Sequence, residues 1–466
     1  MEVIETPGGV WSTIRESLAG GHRDYTDGPI GYAILMLAIP MVLELCLESV
    51  FAVVDVFFVV RLGADAVATV ALTESMLVLI YAIALGLSVG AMAIVARRIG
   101  EKDGDGAARA AVQAILLGVL IAVPVGVFGV VYAPALLRFM GAAPAVVANA
   151  SFTTVMLGAN GVIMMLFLIN AVFRGAGDAA IAMRVLWIAN AINICLDPCL
   201  IFGLGPFPRL GITGAAVATT TGRGIGVLVQ LYALARQRGR VTIRREHLRL
   251  DPGVMLSMVR LSGSAVVQGL IPNIGWLGLV RILATFGSDA LAGFAIAFRV
   301  VVFALLPAWG LANAAATLVG QNLGAGKPAR AATSVWRACF YNMLFLSAVG
   351  LVFVVLPAPL VGAFTDNPAV AESAVRALRI ISIGFPFYAY SMVLTQAFNG
   401  AGDTLTPTII NLVCFWVWEL PIAYTLSRVW GLGPSGVFWS IAIAYSTMAV
   451  VSAVLFRRGR WKLKVV

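Results

Sequence analysis

Three acids, Glu44, Glu48 and Asp55, lie inside one continuous apolar run spanning residues 30–60. A charge at the centre of a membrane-spanning helix costs about 2.5–3.5 kcal/mol on insertion scales, so such residues are candidates for function. At 100° per residue their spacing places them within an arc of roughly 40°, on a face expected to turn away from lipid. For Glu44 and Glu48, solvation near the water interface is an equal reading. A second stripe, Asn190, Asn193 and Asp197, occupies an arc of roughly 60° on another apolar run. Pro198 follows it, removing an amide donor and freeing a carbonyl one turn earlier. Two buried acids facing each other across an amide repel when both are ionised, and a proton or a captured cation relieves that repulsion. That is the chemistry of a coupling-ion site; the alternative is a structural hydrogen bond tying two helices together.

These residues have to be positioned by membrane helices. Of 466 residues, 61% are hydrophobic and 12% charged, against roughly 45–50% and 25% in soluble chains. The excess falls into twelve runs long enough to cross a bilayer. Six cover residues 30–60, 66–96, 107–132, 145–172, 179–204 and 212–235; six more cover 254–285, 290–323, 331–356, 369–398, 404–428 and 434–456. The arginine-rich stretch 236–252, with Arg236, Arg238, Arg240, Arg244, Arg245 and Arg249, separates them. The expected organisation is a tail (1–29), an N-lobe (30–235), a linker (236–253), a C-lobe (254–456) and a second tail (457–466). No short apolar core with a cleavage site precedes the first run, which is expected to serve as an uncleaved anchor.

Lys and Arg concentrate in the linker, both tails and alternate loops, which orients both termini toward the cytoplasm of a plasma membrane, the inner membrane in a Gram-negative cell. The net charge of +10 therefore reports orientation, and nucleic-acid binding is not expected. Cys46, Cys195, Cys199, Cys339 and Cys414 all lie in apolar runs, and His22 and His247 lie in polar segments away from them, so the cysteines read as packing residues.

The halves repeat. An offset of 224 carries Gly63-Ala64-Asp65-Ala66 onto Gly287-Ser288-Asp289-Ala290, Gly86 onto Gly310 and Gly100 onto Gly324. An offset of 225 carries Phe173-Arg174-Gly175-Ala176-Gly177-Asp178 onto Phe398-Asn399-Gly400-Ala401-Gly402-Asp403. With six spans per repeat, both halves enter the membrane in the same sense and are related by an axis along its normal. Rocking two such lobes would alternate access to a cavity between them.

The stretch from Pro40 through Asp55 to Ala66, the Gly100-Glu101-Lys102-Asp103 element and its echo at Gly324, the paired Gly-rich motifs, and Asn193-Ile194-Cys195-Leu196-Asp197-Pro198 together resemble the multidrug and toxin extrusion (MATE) family. The resemblance runs from about Gly28 to Arg457. It implies an all-α protein of twelve helices in two lobes, a secondary transporter exporting amphipathic, often cationic compounds against inward H⁺ or Na⁺, and no cofactor. In the DinF-like and archaeal branches an acid on the first helix and an Asn/Asp pair on the fifth form the coupling site; Asp55, Asn193 and Asp197 match. A threonine on the sixth helix joins them, for which Thr219, Thr220 and Thr221 are all candidates. The NorM-like branch uses a glutamate on the seventh helix, where this chain has Gln268, so the resemblance is closer to the DinF-like branch.

Glu44, Glu48, Glu74, Asn190, Gln268, Trp276 and Tyr388 are candidates for the substrate cavity, though membrane aromatics are more often packing or interfacial. The second half changes the chemistry: Leu279 stands opposite Asp55, and Glu419-Leu420-Pro421 is the nearest counterpart of Leu196-Asp197-Pro198. Small amphipathic substrates and membrane lipids are the expected partners, and a monomer the expected state. The one approach to a phosphate loop, Gly320 to Pro328, has the wrong spacing and a proline where magnesium needs a hydroxyl, which excludes ATP as the driver. A membrane-embedded enzyme acting on prenyl diphosphates would want an Asp-Asp-x-x-Asp cluster, which is absent from the sequence. A lipid-linked-saccharide flippase is the nearer rival; it would line its cavity with arginines, for which Arg223, Arg281 and Arg299 are candidates.

Overall fold

The computed structural model describes residues 10–21, 24–236 and 239–464; His22 and Arg238 lie outside them. Among the described residues all regular structure is helical. Ten helices are long and apolar enough to cross a membrane: Ile30–Val60, Ala64–Gly100, Gly104–Phe139, Ala179–Phe202, Ile212–Ala235, Pro252–Ala284, Ser288–Gly324, Pro328–Val355, Leu405–Val429 and Pro434–Arg457. Two further spans are bent pairs, Ala150–Gly158 with Asn160–Ala176 (41°) and Pro368–Ile383 with Phe385–Gly400 (58°). Counting each pair once gives twelve spans in the expected order. Side chains such as Leu120, Leu228 and Leu351 stand exposed on these helices, as lipid-facing positions do.

The bends have local causes. At the first, the Asn160 side chain donates to the Leu157 carbonyl (2.7 Å) and the Ala122 carbonyl (3.1 Å), drawing the helical ladder outward. At the second, Gly384 is followed closely by Pro386, which has no amide to give the preceding turn. The breaks fall at Ala159 and Gly384, 225 residues apart, the same offset that aligns the Gly-rich motifs. Those motifs are helix ends: Arg174 lies in the last turn of its helix, and Gly177 makes the left-handed turn (φ 89°) into the next.

The internal repeat is visible in how the helices cross. A Cβ on Gly86 would lie 2.4 Å from the Val266 side chain, and one on Gly310 would lie 2.7 Å from the Val42 backbone nitrogen. A Cβ on Gly100 would lie 2.0 Å from the Gln321 carbonyl, and one on Gly324 would lie 2.1 Å from that of Arg97. In each pair both the glycine and its neighbour are displaced by 224 residues. The crossings join the first span to the eighth, the second to the seventh, and the second to the eighth, and glycine is required because any side chain would push the helices apart. For Gly324→Val, we expect the separation of spin labels at positions 101 and 325 to increase relative to the parent; an unchanged distance would show that the crossing tolerates a side chain.

The two lobes exchange helix ends. Ile34, Leu37 and Met41 of the first span sit in the apolar core of spans seven to twelve, whereas Val59, at the other end of that helix, sits in the core of spans two to six. Met258, the repeat equivalent of Ile34, likewise belongs to the core of spans two to six, while Leu279 and Leu283 lie in the other core. Spans one and seven thus cross from lobe to lobe.

Two polar segments are more ordered than a tail and a linker need be. Residues Val10–Ala19 form a helix held by Tyr32 Oη donating to Glu16 (2.6 Å) and by Arg184 donating to the Leu18 (2.7 Å) and Ala19 carbonyls. The segment after the sixth span is pinned to the N-lobe: Val241 is buried, Gln113 donates to the Arg249 carbonyl (2.8 Å), and His247 meets Asp105 (3.2 Å).

Candidate cation-coupling site

The first span carries its acids along one face, and the structure gives them two different fates. Glu44, 3% exposed, accepts from Arg174 Nη1 and from Asn170 Nδ2, both at 3.2 Å. Asn170 and Arg174 are four residues apart, hence neighbours on their helix, and Gln230 of the sixth span donates to Asn170 Oδ1 (2.6 Å). One turn on, Glu48 accepts from Arg223 Nη2 (3.1 Å) and Asn190 Nδ2 (3.2 Å). Arg223 also donates to Tyr81 Oη (3.2 Å) and lies over the Phe51 ring. Each of these carboxylates has an arginine, so each pair contributes little net charge.

Asp55 is two turns further along and has no arginine bound to it. Its Oδ1 is buried without a hydrogen-bond donor, as are both carboxylate oxygens of Asp197 and the Oδ1 of Asn193. Asp197 is fully buried, and Asp55 and Asp197 lie in each other's electrostatic field. Asn193 uses its amide to donate to Thr219 Oγ1 (3.0 Å). That contact depends on the close approach of spans five and six: a Cβ on Gly214 would sit 2.4 Å from the Leu200 carbonyl, and one on Gly222 would sit 2.6 Å from that of Ala189. Of the three adjacent threonines only Thr219 reaches the cluster; Thr220 donates to its own helix at Ala216 (2.7 Å), and Thr221 is exposed. Pro198, inside the same helix, withholds the amide that the Ile194 carbonyl would otherwise accept.

Asp55, Asn193, Asp197 and Thr219 are therefore gathered in the N-lobe. Asp197 is fully buried and Asp55 half-buried, so this set of oxygens lacking donors is disfavoured as two bare carboxylates and suits a proton or a bound cation. Glu74, exposed on the second span, is close enough to act electrostatically on Asp55, as is Arg223. Asn190 belongs with Glu48. The other three sequence candidates lie in the C-lobe: Gln268 keeps a buried Oε1 without a donor, Trp276 stacks on Phe294 (4.7 Å) and meets Phe298 at a tilt (3.9 Å), and Tyr388 stacks on Tyr445 (4.0 Å). Asn170, Arg174 and Gln230 were not anticipated; the signal was the four-residue spacing of Asn170 and Arg174 on an apolar run.

The MatE family model matches this chain twice, over residues 40–199 and 266–425, once in each repeat. The chain belongs to the MATE family. Similar MATE relatives include proteins described as probable multidrug resistance protein NorM of Thermotoga maritima (25% identical, covering 93% of each chain) and multidrug export protein MepA of Staphylococcus aureus (23%, covering 95% and 96%). An FAD transporter of Shewanella oneidensis is 24% identical, covering 93% and 95%. Among solved structures, an outward-facing multidrug resistance MATE transporter superimposes with a TM-score of 0.87 at 26% identity, covering 94% of this chain and 98% of that one. The two-lobe arrangement of this MATE chain is thus the arrangement of its solved relatives. The NorM name carried by a relative gives no support to a DinF-like placement.

Proposed function

We propose that this MATE chain is a secondary transporter that exports small amphipathic, mainly cationic compounds, exchanging them for H⁺ or Na⁺ at Asp55, Asn193, Asp197 and Thr219. The observation that carries the reading is the asymmetry between the acids of the first span: Glu44 and Glu48 are compensated by arginines, and Asp55 faces Asp197 with no counter-charge bound. An inbound cation or proton supplies that charge and leaves when the lobes reopen. The multidrug export described for several relatives supports the substrate class. The donor-less oxygens of Asp55, Asn193 and Asp197, together with Gln268 on the seventh span, are what favours a DinF-like mode of operation, against the names of the relatives.

Glu44 and Glu48 are less suited to select substrates than the sequence suggested, because their charge is already balanced. The lobes touch where the loops after Gly100 and Gly324 begin, and those loops carry Lys102 and Lys327. With basic loops assigned to the cytoplasm, the closed end is cytoplasmic, the termini are cytoplasmic, and the arrangement is outward-facing. The flippase reading is less favoured, since Arg223 is engaged by Glu48.

Dye export, read as accumulation inside inverted vesicles energised by a pH gradient or by a Na⁺ gradient, tests this reading. Efflux is expected with one gradient and not with the other, which names the ion. Gradient-independent export, or movement of a lipid-linked saccharide in vesicles that export no dye, would overturn it.

A further inference from the structure

Among the described residues the C-lobe contains one buried acid without a partner. Glu419 lies on the eleventh span, is 3% exposed, and makes no hydrogen bond or ion pair with any described residue. A buried carboxyl without a donor or counter-cation is costly to retain for structure alone, and intramembrane acids of this kind mark ion pathways. Its helix is irregular at that point: the turns Val413–Glu419 and Thr425–Val429 are π-helical, and Pro421 lies between them. Such widened turns recur at functional positions because they leave backbone groups and side chains outside the regular ladder.

The groups facing Glu419 come from three helices. Tyr388 belongs to the span broken at Gly384 and Tyr445 to the last span; their rings stack at 4.0 Å, and Phe415 meets Tyr445 edge-on at 6.1 Å. Both tyrosine hydroxyls and the Cys414 thiol lie within the electrostatic field of the Glu419 carboxyl. These are hydroxyl donors that could turn toward a carboxylate, with no Lys or Arg paired to it among the described residues. Glu419 itself is 3% exposed, and so little open space at the side chain suits a proton better than an organic cation.

We propose that Glu419 is a proton-binding site of the C-lobe: it holds one H⁺ taken from water while spans ten, eleven and twelve are packed as here. It releases that H⁺ to water when those spans part and Tyr388 and Tyr445 can donate to the carboxylate. The proposal rests on the transporter reading for its place in a cycle, though not for its chemistry.

The test uses the full chain in lipid nanodiscs, with the N-lobe site silenced by Asp55→Asn and Asp197→Asn. Infrared difference spectra between acid and alkaline buffer should retain a protonated-carboxyl band in that background. Adding Glu419→Gln, which keeps size and shape, should remove one component of that band, Glu419→Asp should restore the component at a displaced frequency, and Tyr445→Phe should shift its titration midpoint. In the otherwise native chain, Glu419→Gln should change the pH profile of dye efflux under whichever gradient drives it. A carboxyl band unaltered by Glu419→Gln, or a pH profile of efflux identical to the parent, would overturn the proposal. Since the infrared signal requires no transport, failure of the export reading would leave it intact and be recognised separately.

Discussion

Asp55→Asn and Asp197→Asn are each expected to reduce gradient-driven efflux to the background of vesicles lacking the protein, with the variant still present in the membrane in normal amount. Both substitutions preserve shape and keep one accepting oxygen, while replacing the ionisable oxygen by an amide nitrogen that donates. The loss should therefore appear in transport rather than in stability. Stability should be equal or higher, because each removes one of two like charges that act on each other. Equilibrium binding of a fluorescent substrate separates the roles: if the pair exchanges the coupling ion, the variants still bind substrate but no longer respond to an imposed gradient. Undiminished gradient-driven export by both variants would remove the N-lobe site from the mechanism. Thr219→Val should show a weaker form of the same defect, since it withdraws the oxygen that now accepts from Asn193.

The second large effect concerns structure. Arg174→Met leaves Glu44 buried with its charge uncompensated, a change that costs about 3–5 kcal/mol when one partner of a buried pair is removed. A fall in melting temperature of the purified protein reads it directly. The double variant Arg174→Met with Glu44→Met should recover most of the loss, because replacing both members of a buried pair by apolar groups is often neutral. Failure of the double variant to recover would mean that Glu44 does more than neutralise Arg174, and would return it to the list of substrate contacts.

How much of this was legible beforehand depends on range. The limits of the first and sixth spans, residues 30–60 and 212–235, are those of the observed helices, because Gly, Pro and charge punctuate apolar runs locally. The polar faces of the first and fifth spans were legible for the same reason: three side chains on one helix obey one period. The arginines that complete Glu44 and Glu48 were not, since they lie 130 and 175 residues away and periodicity does not say which distant helix will pack alongside. Arg174 was further hidden by the glycines after it, which read as a loop although the helix continues through Ala176. The breaks at Ala159 and Gly384 sit within unbroken hydropathy, so an apolar count passes straight through them. The choice of Thr219 over its neighbours needed the packing of spans five and six, which glycine spacing permits but does not announce.

The exchange of helix ends between lobes has a mechanical consequence. At 1.5 Å per residue, the 31 residues of the first span make a rod of roughly 46 Å, anchored at Ile34 in one body and at Val59 in the other. A hydrogen-bonded rod cannot lengthen. When the two bodies tilt apart, the strain falls on its weakest point, and Pro40, just beside the Gly310 contact at Val42, is where the ladder lacks a bond. The helix that carries Asp55 is thus also the tie-bar between the two bodies.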